Sequence, residues 1–178
     1  TQSEGLIGDL TFAVFVDDDG NVWAGNWESG GDFGVSMFDG TNWTSHLNLG
    51  FDTITQAPNG DIWVGGFLGV HHYNGTDWVT YTTADGLSTN DIEVIAFDAD
   101  GNLWAGNGGN IGLDRFDGTT WTTYTTADGL ADNNVRAMFL DSDDNMWFGT
   151  NAGLSIFDGT TWETLNESDG LINNFVRS

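Results

Sequence analysis

Short apolar runs separated by turns rich in Gly, Asp and Asn recur along the chain, and no stretch shows a helical period of useful length. One stretch shows the pattern best. Residues 92–98 are apolar at nearly every position, which is typical of a strand covered on both faces, and 103–106 and 113–116 are further short runs. Residues 121–124 alternate aromatic side chains with Thr, as an outer strand does. Because Asp117-Gly118 is a strong hairpin signal, the stretch predicts four consecutive antiparallel strands, a to d.

Two series of Trp repeat this pattern. The first follows the turn between strands a and b, and the second opens strand d. The members are Trp23, Trp63, Trp104 and Trp147 in the first series, and Trp43, Trp78, Trp121 and Trp162 in the second. Eight of the nine Trp therefore share one period, and Trp27 lies outside it. Four strands in a unit of about 42 residues predict a propeller blade, with the Trp of both series packed in the core.

The fold class predicted is all-β, a β-propeller built of four-stranded antiparallel blades with four full repeats and a partial fifth. Residues 1–178 form a single module or a fragment, with blades at approximately 4–48, 49–84, 85–127 and 128–168 and a partial repeat at 169–178. The partial repeat contains Asn174, Phe175 and Val176, which we expect to begin another strand a. Such a strand can belong to a larger propeller, complete an eight-bladed ring of two copies, or pair with a neighbouring molecule. These three residues are therefore candidate assembly residues.

Several phrases of the third and fourth repeats are diagnostic. They are Asp85-Gly86-Leu87, Gly101-Asn102-Leu103-Trp104-Ala105-Gly106, Asp128-Gly129-Leu130 and Met146-Trp147-Phe148-Gly149-Thr150. They resemble the two-component-regulator propeller repeat, which occurs in the periplasmic sensor regions of bacterial hybrid histidine kinases. The resemblance implies the propeller fold and is weakly informative about function. The second repeat departs from it, because His46-Leu47-Asn48-Leu49-Gly50-Phe51 replaces the Asp-Gly-Leu junction.

The charge restricts the partners. The chain has 27 acidic residues and only three Arg and Lys together, which gives a formal net charge of −24. Such a surface repels nucleic acid and anionic lipid, so we expect neither to be a partner. No apolar run reaches membrane-spanning length, so no membrane insertion is expected. The absence of Cys excludes disulfides and thiolate metal sites.

Two sets of residues are candidate ligand contacts on the face formed by the b–c and d–a loops. The b–c loop of the first repeat is the longest and contains Trp27, Glu28, Asp32 and Phe33, a combination suited to stacking on a sugar or binding a peptide. The alternative is that Trp27 and Phe33 cover the core. The second set lies where strand a begins and comprises Asn90, Asn133 and Asn134, whose alternative role is turn chemistry.

The a–b turns are acidic. Three pairs of carboxylates are weak candidates for Ca²⁺, although Asp and Asn in a hairpin turn explain the same pattern: Asp17 and Asp19, Asp98 and Asp100, and Asp141 and Asp143. No other cofactor is expected. Three sequons, at Asn42, Asn74 and Asn166, are glycosylation sites if the source organism glycosylates secreted proteins.

Catalytic signals are weak. There is no Cys or Lys, and no Ser has an evident base nearby in sequence. His71 and His72 are adjacent on one predicted strand, so their side chains point to opposite faces and do not readily chelate one metal.

The leading hypothesis is a non-enzymatic extracellular or periplasmic binding or self-assembly module that associates through its incomplete terminal repeat. The first alternative is a sensor or lectin-like ectodomain fragment that recognises a glycan or peptide. The second is a propeller enzyme acting on polysaccharide.

Overall fold

The computed structural model describes residues 10–27, 33–47, 50–107 and 109–177. These residues form sixteen β-strands and a 3₁₀ turn at Glu167–Asp169. The strands are β1 (Leu10–Val16), β2 (Val22–Trp27), β3 (Phe33–Phe38), β4 (Trp43–Leu47), β5 (Phe51–Gln56), β6 (Ile62–Gly66), β7 (Gly69–Tyr73), β8 (Trp78–Tyr81), β9 (Val94–Phe97), β10 (Leu103–Gly106), β11 (Leu113–Phe116), β12 (Trp121–Tyr124), β13 (Val135–Leu140), β14 (Met146–Thr150), β15 (Gly153–Phe157) and β16 (Trp162–Leu165).

Each group of four consecutive strands forms one antiparallel sheet in chain order, which confirms the predicted blades. Blade 1 contains β1–β4, blade 2 β5–β8, blade 3 β9–β12 and blade 4 β13–β16. In blade 3 the strands b, c and d have the predicted bounds, but strand a begins at Val94 instead of Ile92. The reason is that the Ile92 amide donates to the Gly66 carbonyl of blade 2 (3.0 Å) and therefore leaves the ladder of its own sheet.

The Trp at the start of strand b is fixed by the turn before it. In blades 1, 3 and 4 the first Asp of that turn accepts the indole N–H, from Trp23 (2.8 Å), Trp104 (2.9 Å) or Trp147 (2.7 Å). The same carboxylate also accepts from the turn, as Asp98 does from the backbone and side chain of Asn102. A short sequence motif therefore orients a large aromatic ring through bonds within its own blade.

These rings pack on the following blade. Trp23 joins a cluster with Phe51, Ile62 and Val64 of blade 2, and Trp104 lies among Met146, Phe148 and Phe157 of blade 4. Trp63 packs likewise on Leu103 and Phe116 of blade 3. Trp23, Trp63 and Trp104 are at most 7% exposed, as expected for core residues. The blade interfaces are therefore the hydrophobic cores of the molecule.

In blades 2, 3 and 4, a Gly two positions after the Trp of strand b marks where the next segment crosses. A Cβ on Gly65 would lie 2.7 Å from Ile92, one on Gly106 would lie 3.1 Å from Val135, and one on Gly149 would lie 2.9 Å from Val176. Backbone bonds accompany the crossing, since the Val176 amide donates to the Thr150 carbonyl at 2.9 Å, as Ile92 does to Gly66. Val176 therefore occupies in blade 4 the place that begins a further blade.

The four blades form an open arc. The first strands of successive blades lie against each other, β1 on β5, β5 on β9 and β9 on β13, whereas among the described residues no contact of similar extent joins β13 to β1. The expectation that strand a is covered on both faces is therefore wrong at the two ends. Val14 and Val16 of β1 are 65% and 58% exposed, and Phe139 of β13 is 67% exposed, because no blade packs on them.

The bond between the turn carboxylate and the indole can be tested in blade 3. Replacing Asp98 by Ala removes the acceptor of Trp104, Asn102 and Arg115, so we expect Asp98→Ala to lower the free energy of unfolding by about 2 to 3 kcal/mol in urea titrations. Asp100→Ala, an exposed carboxylate of the same turn, should change it by less than about 0.5 kcal/mol. Equal losses in the two variants would contradict the assignment.

Candidate functional site

The loop face carries the residues that the sequence singled out, and the structure gives several of them structural partners. The backbones of Trp27 and Phe33 pair where β2 meets β3, while Glu28 and Asp32 lie outside the described residues. The side chains of Trp27 and Phe33 also lie outside the described part of the structure. Ligand binding by this loop therefore stays a prediction.

The Asn residues at the start of strand a cap the preceding loop. The Oδ1 of Asn90 accepts from the Thr83 amide at 2.8 Å, and that of Asn133 accepts from the Thr126 amide at 2.8 Å. Asn174 repeats the arrangement with the Glu167 amide at 2.7 Å. The turn-chemistry role therefore accounts for Asn90 and Asn133, and Asn134, 7% exposed, lies below the surface.

The partial repeat is engaged within the chain. Asn174 is the loop cap just described, and Val176 bonds to β14. Phe175 remains 44% exposed, with the guanidinium carbon of Arg177 4.6 Å from its ring centroid. Association through these three residues with another molecule stays a prediction.

An acidic cavity of about 360 Å³ also opens near this face. Asp52, Phe67, Asp91 and Glu93 line it. Burial, with Coulombic repulsion from Asp91 and Glu93, raises the pKa of Asp52 above its ordinary value of 3.8. The Glu93 carboxylate is paired with the guanidinium of Arg136 from blade 4, so one of the three negative charges is already compensated.

The acidic turns on the opposite face, which we call the turn face, use their carboxylates internally. Asp17, Asp98 and Asp141 accept hydrogen bonds from the indole and turn N–H groups. The bond from Trp147 is the largest cause, with bonds from Asn145 and Asp143, of a pKa of Asp141 lowered to about 2. The other members of the pairs, Asp19, Asp100 and Asp143, are exposed. In the part of the chain that the structure describes, no group of three or more His, Asp or Glu side chains is arranged to hold a metal ion. Calcium binding stays a prediction.

The three sequons lie in different surroundings. Asn42 and Asn74 are exposed in c–d turns, although Asn74 accepts the amides of Thr76 and Asp77 through its side chain. Asn166 caps the 3₁₀ turn by accepting the Ser168 amide.

Two clefts between blades open on the turn face, and the sequence did not predict either. The cleft between blades 2 and 3 has a volume of about 400 Å³ and is lined by Asp61, Trp63, His72, Tyr81, Phe97 and Phe116, among others. The corresponding cleft between blades 3 and 4 measures about 220 Å³ and holds Arg115. The available signal was the departure of the second repeat from the others at positions 57 and 61, together with its difference from the third repeat at position 72.

A third cavity, about 710 Å³, lies on the uncovered face of blade 4. Phe139, Trp147, Leu154 and Val176 contribute to its apolar lining. Its residues correspond to those that blade 3 buries against blade 4.

One buried polar side chain occupies the equivalent position of strand c in every blade, paired with the residue that follows the Trp of strand b: Ser36, His71, Asp114 and Ser155. Asp114 accepts from the amide and hydroxyl of Ser88 and from the Thr123 hydroxyl, which ties the d–a loop to the sheet. His71 Nδ1 is 2.8 Å from Thr80 Oγ1, and burial lowers the pKa of His71 from 6.5 to about 4. These groups are structural.

The comparisons with known proteins agree with this architecture. The fold defines a β-propeller, and residues 86–109 and 129–152 match the model of the two component regulator propeller family. The match of these two stretches confirms the resemblance seen in the sequence. No curated protein matches the chain.

Solved propellers superpose on most of the chain at low identity. The extracellular domain of BT4673 from B. thetaiotaomicron superposes on 90% of the chain with a TM-score of 0.73 and 16% sequence identity. The extracellular domain of BT3049 from the same organism superposes on 96% of the chain with a TM-score of 0.54 and 18% sequence identity. Virginiamycin B lyase from Staphylococcus aureus superposes on 91% of the chain with a TM-score of 0.70 and 16% sequence identity. The chain spans 24%, 30% and 57% of these three proteins.

The matched family is a regulator propeller, whereas the structural neighbours include a lyase and an ancestral GH74 enzyme, so the fold alone allows both roles. No helix in the described ranges is long and apolar enough to cross a membrane.

The buried His71 predicts a specific dependence of stability on pH. Folded His71 is neutral above a pKa of about 4, while the unfolded chain takes up the proton near 6.5, so its contribution is complete above pH 6.5 and is lost as pH falls towards 4. Relative to His71→Gln, the wild type should lose about 3 kcal/mol between pH 7 and pH 4 in urea titrations. His72→Gln is the matched control and should keep this decline. Parallel pH profiles for the wild type and His71→Gln would contradict the prediction.

Proposed function

We propose that the chain is a non-enzymatic binding and assembly module that acts outside the cytoplasm and joins further propeller blades through its two open ends. One observation carries the proposal: the outward faces of blades 1 and 4 expose the side chains that the inner blades bury against each other. The extracellular location draws on the extracellular domains among the structural neighbours, and the non-enzymatic role on the regulator family.

Blade 4 exposes the face that normally receives the next blade. In blade 3, Trp104 and Leu113 are completely buried on that face. Their counterparts in blade 4, Trp147 and Leu154, are only half-buried, and Phe139 beside them is 67% exposed. An apolar surface with a cavity at its centre is the kind of surface that binds another protein surface.

Blade 1 exposes the complementary face. Ile95 of blade 3 is 5% exposed because blade 2 covers it, whereas Val14, its counterpart in blade 1, is 65% exposed. Val16 on the same strand is 58% exposed. Every internal interface of the arc joins a face of the blade 4 type to a face of the blade 1 type, so one end of the chain is built to meet the other end of a second copy.

A second copy joined head to tail is therefore the occupant we propose. Such an interface is heterologous and forms a closed ring if the rotation is correct. Two four-bladed arcs would give eight blades, within the range of about four to eight known for propellers. Each copy has a net charge of −24, so repulsion opposes the union and salt should favour it.

The oligomeric state tests the proposal. Light scattering coupled to size exclusion should give a mass that rises towards twice 19.2 kDa with protein concentration and with salt. Phe139→Asp should hold the chain as a monomer, because it places a charge at the interface. A chain that stays monomeric under all these conditions would overturn the proposal.

Two controls sharpen this experiment. Phe67→Asp changes an equally exposed Phe, 61% exposed and distant from both ends in sequence, and should leave association unchanged. Val14→Asp should also prevent association, yet an equimolar mixture of Val14→Asp and Phe139→Asp should form a heterodimer through its one intact interface. Failure of the mixture to associate, with both variants folded, would contradict head-to-tail pairing.

A further inference from the structure

The cleft between blades 2 and 3 differs from its neighbour in a way that points to a ligand. In the cleft between blades 3 and 4, strand c of blade 3 supplies a cation, Arg115. The equivalent residues of the other blades are Met37, His72 and Ile156. The Arg115 side chain donates through Nε (3.2 Å) and Nη2 (3.1 Å) to Asp98 Oδ2, and its guanidinium carbon lies 5.3 Å from the centroid of the Trp104 ring. A guanidinium close to an indole ring and paired with a carboxylate therefore occupies part of that cleft.

Three replacements open the corresponding cleft between blades 2 and 3. Ala57 stands where blade 3 has Asp98, and His72 stands where it has Arg115. Across the cleft, Gly101 of blade 3 corresponds to Asp144 of blade 4, which lines the smaller cleft. The two cavities measure about 400 and 220 Å³, so the replacements coincide with nearly twice the space.

The His72 ring occupies only the inner part of the space that corresponds to the Arg115 side chain in the next cleft. It stacks on Trp63 with ring centroids 4.3 Å apart and an interplanar angle of 12°. An imidazole is shorter than an arginine side chain, so the outer part of the cleft is left open. Trp63, Tyr81, Phe97 and Phe116 give this space aromatic walls.

In this cleft the carboxylate of the turn is at position 61 and not at position 57. Asp61 occupies the place of Asn102 in blade 3, and its Oδ2 accepts from His72 Nε2 (2.7 Å) and Asn59 Nδ2 (2.9 Å). Its Oδ1 receives no hydrogen bond from the described residues. With 21% of its side chain exposed, Asp61 retains an acceptor for a donor that arrives from solvent.

We propose that this cleft binds an organic cation consisting of a guanidinium head on an apolar stem, either a free molecule or an arginine side chain of a peptide. The walls accept the stem and interact with the head through cation–π contacts. Asp61 supplies the pairing carboxylate, and the charge of −24 concentrates cations at the surface. The ligand restores from outside what Arg115 provides in the next cleft.

Titration followed by NMR tests this site through the indole N–H cross-peak of Trp63. The probes are n-butylguanidinium, n-butylammonium, a blocked Gly-Arg-Gly tripeptide and its citrulline analogue, which keeps the shape and removes the charge. The proposal is supported if butylguanidinium gives saturable shifts and butylammonium binds with an affinity at least about tenfold lower. Binding of the arginine peptide as well assigns the source to peptides, and binding of butylguanidinium alone assigns it to small molecules. Citrulline peptide binding as tightly as the arginine peptide would overturn the proposal.

Variants that copy blade 3 give the decisive control. Ala57→Asp with His72→Arg rebuilds the internal pair and should abolish the shifts without lowering the melting temperature. Asp61→Asn introduces the amide that blade 3 has at Asn102 and should lower the affinity for butylguanidinium at least about tenfold. This variant keeps the test valid if the double variant fails to fold. Asp100→Asn removes the same charge at the other cleft and should leave the affinity unchanged. Equal affinities for wild type and Asp61→Asn would overturn the assignment.

Discussion

The indole ring at the start of each strand b is the element on which the rest of the structure depends. In three blades its N–H is held by the turn carboxylate, and in three its ring forms the floor on which the following blade packs. The Gly two residues later leaves room for the next segment to cross. Turn, ring and crossing point therefore act as one unit of about ten residues, and its repetition sets the spacing and order of the sheets.

Much of this could be predicted from sequence because the information is local. The period of the two Trp series, the Asp-Gly hairpins and the alternation of strand d depend only on neighbouring residues, and β10, β11 and β12 have the predicted bounds. The predictions failed where the outcome depends on distant parts of the chain. Nothing near Val14 or Phe139 indicates that their outer neighbour is missing, and Ile92 left its strand because its amide bonds to blade 2. The role of Asn90 as a loop cap was foreseen as an alternative and needed the position of Thr83 to be established.

The functional features lie where a repeat departs from the others. Blade 2 has Ala57 in place of the first Asp of the turn, and its His71 and His72 stand where blade 3 has Asp114 and Arg115. One of these changes is structural, because His71 is buried and bonded to Thr80, while the other enlarges a cleft. The clefts also differ in character, one closed by an ion pair and one lined by aromatic rings. Comparison of equivalent positions within one chain thus separates residues that maintain the fold from residues that are free to vary.

The crossing bond at Val176 has a consequence for how such chains can be divided. The segments that open blade 3, blade 4 and the partial repeat are each bonded to the blade before them, through the amides of Ile92, Val135 and Val176. The mechanical boundary between these blades therefore lies several residues after the sequence repeat begins. Exchanging blades between proteins, or rearranging the order of the chain, would need its junctions on the C-terminal side of the bonded residue. A junction at the Asp-Gly-Leu phrase would instead separate each blade from the residue that anchors its successor.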